Sequence, residues 1–239
     1  MANTSLTDEA APRFPRDQLD QTYYEAVVRT PARVVDELRW EITAALTGAV
    51  YRHRNASEAA QTLLPLVTDR AAQSAPSWRY TTQTCLFEFV VALNSAFESS
   101  AYGLYFIGSV IAPQRFPLVG SGKWKGINVM ATAQAYQAAW PGDPLAQALA
   151  ALAADTGYGT LYDRRNILAH RIAPGFEHRV TLGAGSFPQA AEEGYELAWF
   201  GEPLAPMVTK TLAHCEALLT DVWVAAQTFA TAHSGEFRQ

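Results

Sequence analysis

Between Tyr162 and Arg171 the chain sets three arginines, an aspartate, an asparagine and a histidine within ten residues of an otherwise Ala-rich, apolar sequence. An imidazole titrates near working pH, so His170 is the candidate acid or base of this stretch. A guanidinium stays cationic and donates paired hydrogen bonds to phosphate oxygens, which makes Arg165 the candidate for holding an anion. At about 100° per residue, Asp163, Asn166 and His170 share one stripe of a helix, with Ile167 flanking it. Arg165 lies about 140° around that helix from His170. Joint chemistry between the two therefore needs a bent helix start, the long reach of Arg165, or a second copy of the site. Thr160 is the expected N-cap of this helix and Pro174 its expected stop.

Without further context these are solvated helix residues, with Asp163, Arg164 and Arg171 in surface ion pairs worth about a few tenths of a kcal/mol each. The string Arg165-Asn166-Ile167-Leu168-Ala169-His170, however, resembles the Arg-x4-6-His motif of the HEPN superfamily, whose arginine is usually followed by a polar residue, as Asn166 follows here. HEPN domains are helical bundles, commonly dimeric. Many are metal-independent endoribonucleases of toxin–antitoxin, abortive-infection and CRISPR effector systems. The resemblance is specific over about 163–171. It implies that two motifs face each other across a homodimer as one composite site, with RNA or a nucleotide as ligand, no metal or cofactor, and an antitoxin or regulatory protein as partner.

The implied reaction is transphosphorylation, in which an RNA 2′-hydroxyl attacks the adjacent phosphate and leaves a cyclic phosphate and a free 5′-hydroxyl. His170 is then the general base or acid, and Arg165 holds the phosphate and the extra charge of the transition state. Asn166 hydrogen-bonds the phosphate or fixes the imidazole tautomer, and Asp163 orients or neutralises Arg165 or His170. Arg164 and Arg171 add charge for RNA. HEPN proteins also often carry a polar residue on an earlier helix that leans toward the motif. Glu98, one turn after Asn94 on a long apolar helix, fits that place, with Arg165 as its expected donor. The competing expectation is a catalytically silent HEPN-type module that binds nucleotide, RNA or a protein.

Other motifs fail on inspection. Gly120-Ser121-Gly122-Lys123 departs from a phosphate-binding loop, with Pro117 in place of the first glycine and Trp124 in place of the magnesium-binding hydroxyl. Lys123 and Lys125, and a basic patch of Arg171, His178 and Arg179, remain as sources of charge. The five histidines show no His-x3-His pair and the two cysteines are far apart, so a metal site is not expected. Trp124, Trp140 and Trp199 are assigned to packing ahead of base stacking.

The elements that must position the motif are helical. A first helix is expected over 17–29, and a second opens at Thr30-Pro31 with Val34, Val35, Leu38, Ile42, Leu46 and Ala49 at three-to-four spacing. Asn55-Ala56-Ser57-Glu58 reads as a capping box starting a third, which Pro65 interrupts or kinks. The longest periodic segment, 79–111, is the expected central rod. Loop residues 112–126, a helix to Trp140, and the Asp143-Pro144 cap of another follow. The segments 178–182 and 195–200 read as a hairpin, and a last helix covers about 203–232. This predicts an all-α, up-and-down bundle of about six to eight helices with a small β-hairpin insertion: a loose tail over 1–16, then one domain over 17–239. The formal charge of −5 argues against general polyanion coating, so RNA must meet a local basic patch. Buried reduced Cys85 and Cys215, no secretory apolar run and no bilayer-length apolar stretch give a soluble, cytoplasmic expectation.

Overall fold

The computed structural model describes residues 14–28, 36–69, 76–118, 124–170, 175–182 and 192–234, and leaves aside the side chains of 36, 37, 125, 170, 178–182 and 192–195. Among the described residues the architecture is all-α with a small antiparallel sheet. The helices are α1 (Arg16–Tyr23, continued by a π-helical turn Tyr24–Val28), α2 (Asp36–Thr68), α3 (Trp78–Ile111), α4 (Val129–Ala139), α5 (Pro144–Ala154), α6 (Thr156–His170) and α7 (Leu204–Ala232). The strands are β1 (Glu177–Leu182), β2 (Glu192–Trp199) and β3 (Glu202–Pro203).

The long hairpin of α2 and α3 is the frame. In α2, Ile42, Leu46, Ala49, His53, Ala56, Ala60, Leu63 and Val67 are buried at three-to-four spacing, a continuous stripe on the helix that packs along α3. α3 has 34 residues, so it is about 51 Å long at 1.5 Å per residue. From Leu93 to Ser109 it is buried on nearly every side, as a helix must be when α2, α4, α6 and α7 all pack on it. Gly103 permits the close approach of α2: a Cβ there would stand 2.7 Å from a Leu46 methyl. One apolar cluster gathers residues from every helix and from β2. No helix of the described residues is long and apolar enough to cross a membrane.

Several expected boundaries shift. Asn55 does not cap a third helix, because α2 runs unbroken from Asp36 to Thr68. The buried stripe continues through Ala56 and Ala60 across the supposed break, so packing outweighs the local capping pattern, and Glu58 instead accepts from Arg54 at 2.7 Å. Pro65 lies inside α2 near its end, and the helix continues past it to Thr68 without the hydrogen bond its nitrogen would otherwise give to Gln61. The exposed carbonyl of Leu66 is taken by Trp78 Nε1 at 2.7 Å, which ties the end of α2 to the start of α3. Asp143 and Pro144 do open α5, with Leu145 N donating to Asp143 Oδ1 at 2.7 Å. Phe200 sits in a turn and not in the strand. Phe200 and Gly201 both have positive φ, 49° and 76°, as the two central residues of a type I′ turn require, and this turn leads into the unforeseen β3. The Thr30-Pro31 start, Pro174, and the excursion between β1 and β2 lie outside the described residues.

Candidate active site

The motif occupies the second half of α6, and the start of that helix differs from expectation. Thr160 is not the cap: it lies inside the helix and donates to Thr156 O at 2.8 Å. Asp155 does the capping, accepting from Tyr158 N at 2.7 Å and from the His214 ring at 2.9 Å. These partners hold its carboxyl below the usual range against the opposing effect of burial. Gly157 lets the His214 ring lie against the backbone, since a Cβ would stand 2.7 Å from it. Asp155 fixes where α6 begins, and with it the rotation of every motif residue.

Neighbouring arginines then diverge. Arg164 turns toward the sheet, pairing with Glu202 at 3.0 Å and lying 5.4 Å over the Trp199 ring, with 11% of its side chain exposed. Arg165 turns toward a cavity of about 570 Å3 between α2, α3, the α4 start and α6. Glu98 and Asn94 of α3 line the same cavity. Arg165 Nη1 donates to Asn166 Oδ1 at 3.0 Å, while its buried Nε has no hydrogen-bond partner among the described residues. Asp163 is exposed, and Tyr162, half-exposed, forms part of the cavity wall. The His170 side chain and all of Arg171 lie outside the described residues; the backbone of His170 closes α6.

Glu98 is held by more than one element. Tyr158 donates to its Oε1 at 2.9 Å, in place of the expected Arg165. Burial raises the Glu98 carboxyl above its ordinary range, while the Tyr158 hydroxyl, the Val129 N–H at the start of α4 and the charge of Arg165 all favour its ionised form. Burial and the Glu98 charge in turn push the Tyr158 phenol well up. Asn94 is only 2% exposed; its Nδ2 has no acceptor in hydrogen-bond geometry among the described residues, although it lies near enough to Tyr158 to favour the phenolate.

Sequence reading missed the α2 wall. Glu41, Ala44, Ala45, Gly48 and Arg52 recur at spacings of three and four, so one face of α2 presents small residues between a carboxylate and a guanidinium. That pattern was the available signal, hidden inside an apolar helix. Tyr102 donates to Glu41 Oε2 at 3.1 Å, and burial with the Glu41 charge pushes the phenol up to about 12. Arg52 donates through Nη1 to Ser99 Oγ. The site thus contains two guanidiniums, two carboxylates and amides contributed by four helices.

Of the tryptophans considered for stacking, Trp199 is buried at 2% exposure, while the partly buried Trp124 packs on Phe106 and the partly buried Trp140 on Phe116, Tyr136 and Phe229. Cys85 and Cys215 are buried free thiols. Among the described residues no group of three or more His, Cys, Asp or Glu gathers as for a metal ion. No family model matches this chain, and comparison with curated proteins and with solved structures gives no match.

Proposed function

We propose that this protein is a HEPN-like, metal-independent endoribonuclease working as a homodimer, with stress or phage defence as the setting its motif implies. The observation that carries the reading is Arg165: the motif arginine faces a polar cavity with part of its guanidinium unpartnered, beside Glu98 and Asn94. Arg164, by contrast, is turned away from the cavity and engaged by the Glu202 carboxylate and the Trp199 ring.

In the proposed reaction His170 takes the proton of the RNA 2′-hydroxyl. The 2′-oxygen bonds to the adjacent phosphorus, the bond from phosphorus to the 5′-oxygen breaks, and an imidazolium returns a proton to the leaving oxygen. Arg165 bears the added negative charge of the phosphorane, and Asn166 keeps the guanidinium aimed through its amide oxygen. On a helical wheel position 170 lies about 140° from position 165. A paired site, in which the second copy supplies what one α6 cannot bring to the same side, meets that constraint. Arg171 is assigned to the RNA backbone, and Arg164 to holding α6 against the sheet.

A second reading has its own support. Two carboxylates, Glu41 and Glu98, line the cavity with the two arginines, and the chain is acidic. A charge-balanced cavity suits a catalytically silent module that binds a nucleotide. Labelled mixed-sequence RNA, incubated with the purified protein in chelator beside His170→Ala, separates the two. Cyclic-phosphate ends produced by the wild type and absent with the variant are expected. Intact RNA at high concentrations of a dimeric protein would leave the binding reading in its place.

A further inference from the structure

We infer that His214 of α7 is a positioning residue: from outside the cavity it clamps Asp155, the joint between α5 and α6, and thereby holds Tyr158 on Glu98 and Arg165 toward the cavity. The inference deepens the ribonuclease reading and rests on it only for the effect on cleavage.

α6 has little of its own to fix how it starts. Gly157 and Gly159 fall in its first turn, where glycine disfavours a helix, and its buried residues, Tyr158, Leu161 and Leu168, make a sparse apolar face. Polar contacts hold the turn instead. Asp155 alone separates α5 from α6: its N–H donates to Leu152 O at 3.2 Å, closing α5, and its carbonyl accepts from Gly159 N at 3.0 Å, opening α6. The same carboxylate oxygen, Oδ1, accepts from Tyr158 N and from His214 Nε2. The bond from His214 is the one that ties this joint to a different helix, and the bare backbone of Gly157 is what gives the ring room to make it.

What the clamp fixes is then carried along one face of the helix. Positions 158, 162 and 165 are four and three apart, so they share a stripe of α6. Tyr158 donates to Glu98 Oε1 at 2.9 Å, and Tyr162, Glu98 and Arg165 line the same cavity. A rotation at the first turn therefore moves the whole stripe. His214 is not part of the cavity wall, so it acts through Asp155 and touches nothing the cavity holds. An ionised carboxylate only accepts, which selects the ring form with its proton on Nε2. That donor is present in the neutral and the protonated ring alike, so the clamp survives the loss of the imidazolium charge. Glu98 reports on the arrangement: it is faced by the Tyr158 hydroxyl and Arg165 from α6 and by the Val129 N–H from α4, all favouring its ionised form. A Tyr158 that swings away leaves Glu98 a weaker acid.

The test is an NMR pH titration of the glutamate side-chain carboxyls in the full chain, with Glu98 assigned from Glu98→Gln, in wild type, His214→Leu and His214→Gln. Cleavage of labelled RNA in chelator is measured beside it. In His214→Leu the Glu98 midpoint should rise by about half a pH unit or more, and cleavage should fall by about fivefold or more. His214→Gln, whose amide N–H can reach Asp155, should restore both and keep the wild-type pH profile of cleavage. A merely structural histidine would lower the thermal midpoint and leave the Glu98 titration where it is. An unmoved Glu98 titration in folded His214→Leu would therefore overturn the inference. So would an equal displacement in His214→Leu and His214→Gln, which assigns the ring to packing, or an altered cleavage pH profile in His214→Gln, which assigns it to proton transfer. Should His214→Leu not fold, an unmoved Glu98 in Gly157→Ala, whose Cβ displaces the ring, overturns it equally. A displaced Glu98 titration, restored by His214→Gln, in a protein that leaves RNA intact would retire the nuclease and keep the clamp. RNA cleavage indifferent to His214→Leu, with Glu98 unmoved, would do the reverse.

Discussion

Arg164 and Arg165 are adjacent on one helix and identical in chemistry, yet they do opposite work. Arg164 is engaged by the fold: a carboxylate at 3.0 Å, an indole face beneath it, and little water. Arg165 keeps a buried donor without a partner and faces a cavity. The difference arises because one residue is about 100° of helix rotation, enough to carry a side chain from the sheet to the α2–α3 groove. A saturated guanidinium contributes to stability. One that lines a cavity is placed to meet what enters it, which is why residue type alone does not mark a site.

The largest effect is expected for Arg165→Ala, which should lower RNA cleavage by about 10²–10³ in kcat, the loss seen when one preorganised charge donor is removed. Its thermal midpoint should fall less than that of Arg164→Ala, because what it leaves behind is one hydrogen bond to Asn166 and a through-space effect on Glu98. Arg164→Ala should do the opposite, costing about 1–2 kcal/mol in denaturant titration through the lost indole contact and ion pair, with cleavage changed less than about threefold.

Glu98→Gln sharpens the contrast through pH. The folded Glu98 carboxyl is raised, so the native state binds its proton more tightly than the unfolded chain does. Its contribution is therefore fully present below the ordinary carboxylate range and is lost as pH rises through the folded value. Stability of Glu98→Gln should lack that decline, so the difference between wild type and variant should grow in favour of the variant as pH rises from acid toward neutrality. A parallel pair of stability curves would show that Glu98 is not held in this way. The smallest effect is expected for Tyr158→Phe, which keeps the ring on Phe97 but removes the donor to Glu98. It should cost about 1 kcal/mol and move the Glu98 titration further up.

The contrast also shows what could be read in advance. Helical periodicity made α3 and α7 legible almost to the residue, and the Asp143-Pro144 start of α5 is a local signal that the structure keeps. Asn94 and Glu98 were visible as polar residues one turn apart on an apolar helix, and they do share a cavity with Arg165. Capping signals misled where packing overrode them, at Asn55, or where a better carboxylate stood nearby, at Thr160. The different fates of Arg164 and Arg165 were not legible, because they depend on Trp199 and Glu202 arriving from a hairpin over thirty residues away. Nor was Arg52, whose significance appears only when α2 lies antiparallel to α3 and brings it to Ser99. Local chemistry can be read along the chain; its direction is decided by partners distant in sequence.

The measurement that bears most directly on the central contrast is the shift in thermal midpoint on adding a saturating, non-cleavable 2′-O-methyl RNA oligonucleotide to wild type, Arg164→Ala and Arg165→Ala. A ligand that binds only the native state raises the midpoint in proportion to the logarithm of its concentration over Kd. The predicted result is a clear upward shift for wild type, the same shift for Arg164→Ala from a lower starting midpoint, and almost none for Arg165→Ala. An equal shift in all three proteins, or a shift lost in Arg164→Ala and kept in Arg165→Ala, would contradict the assignment of Arg165 to the ligand and Arg164 to the fold.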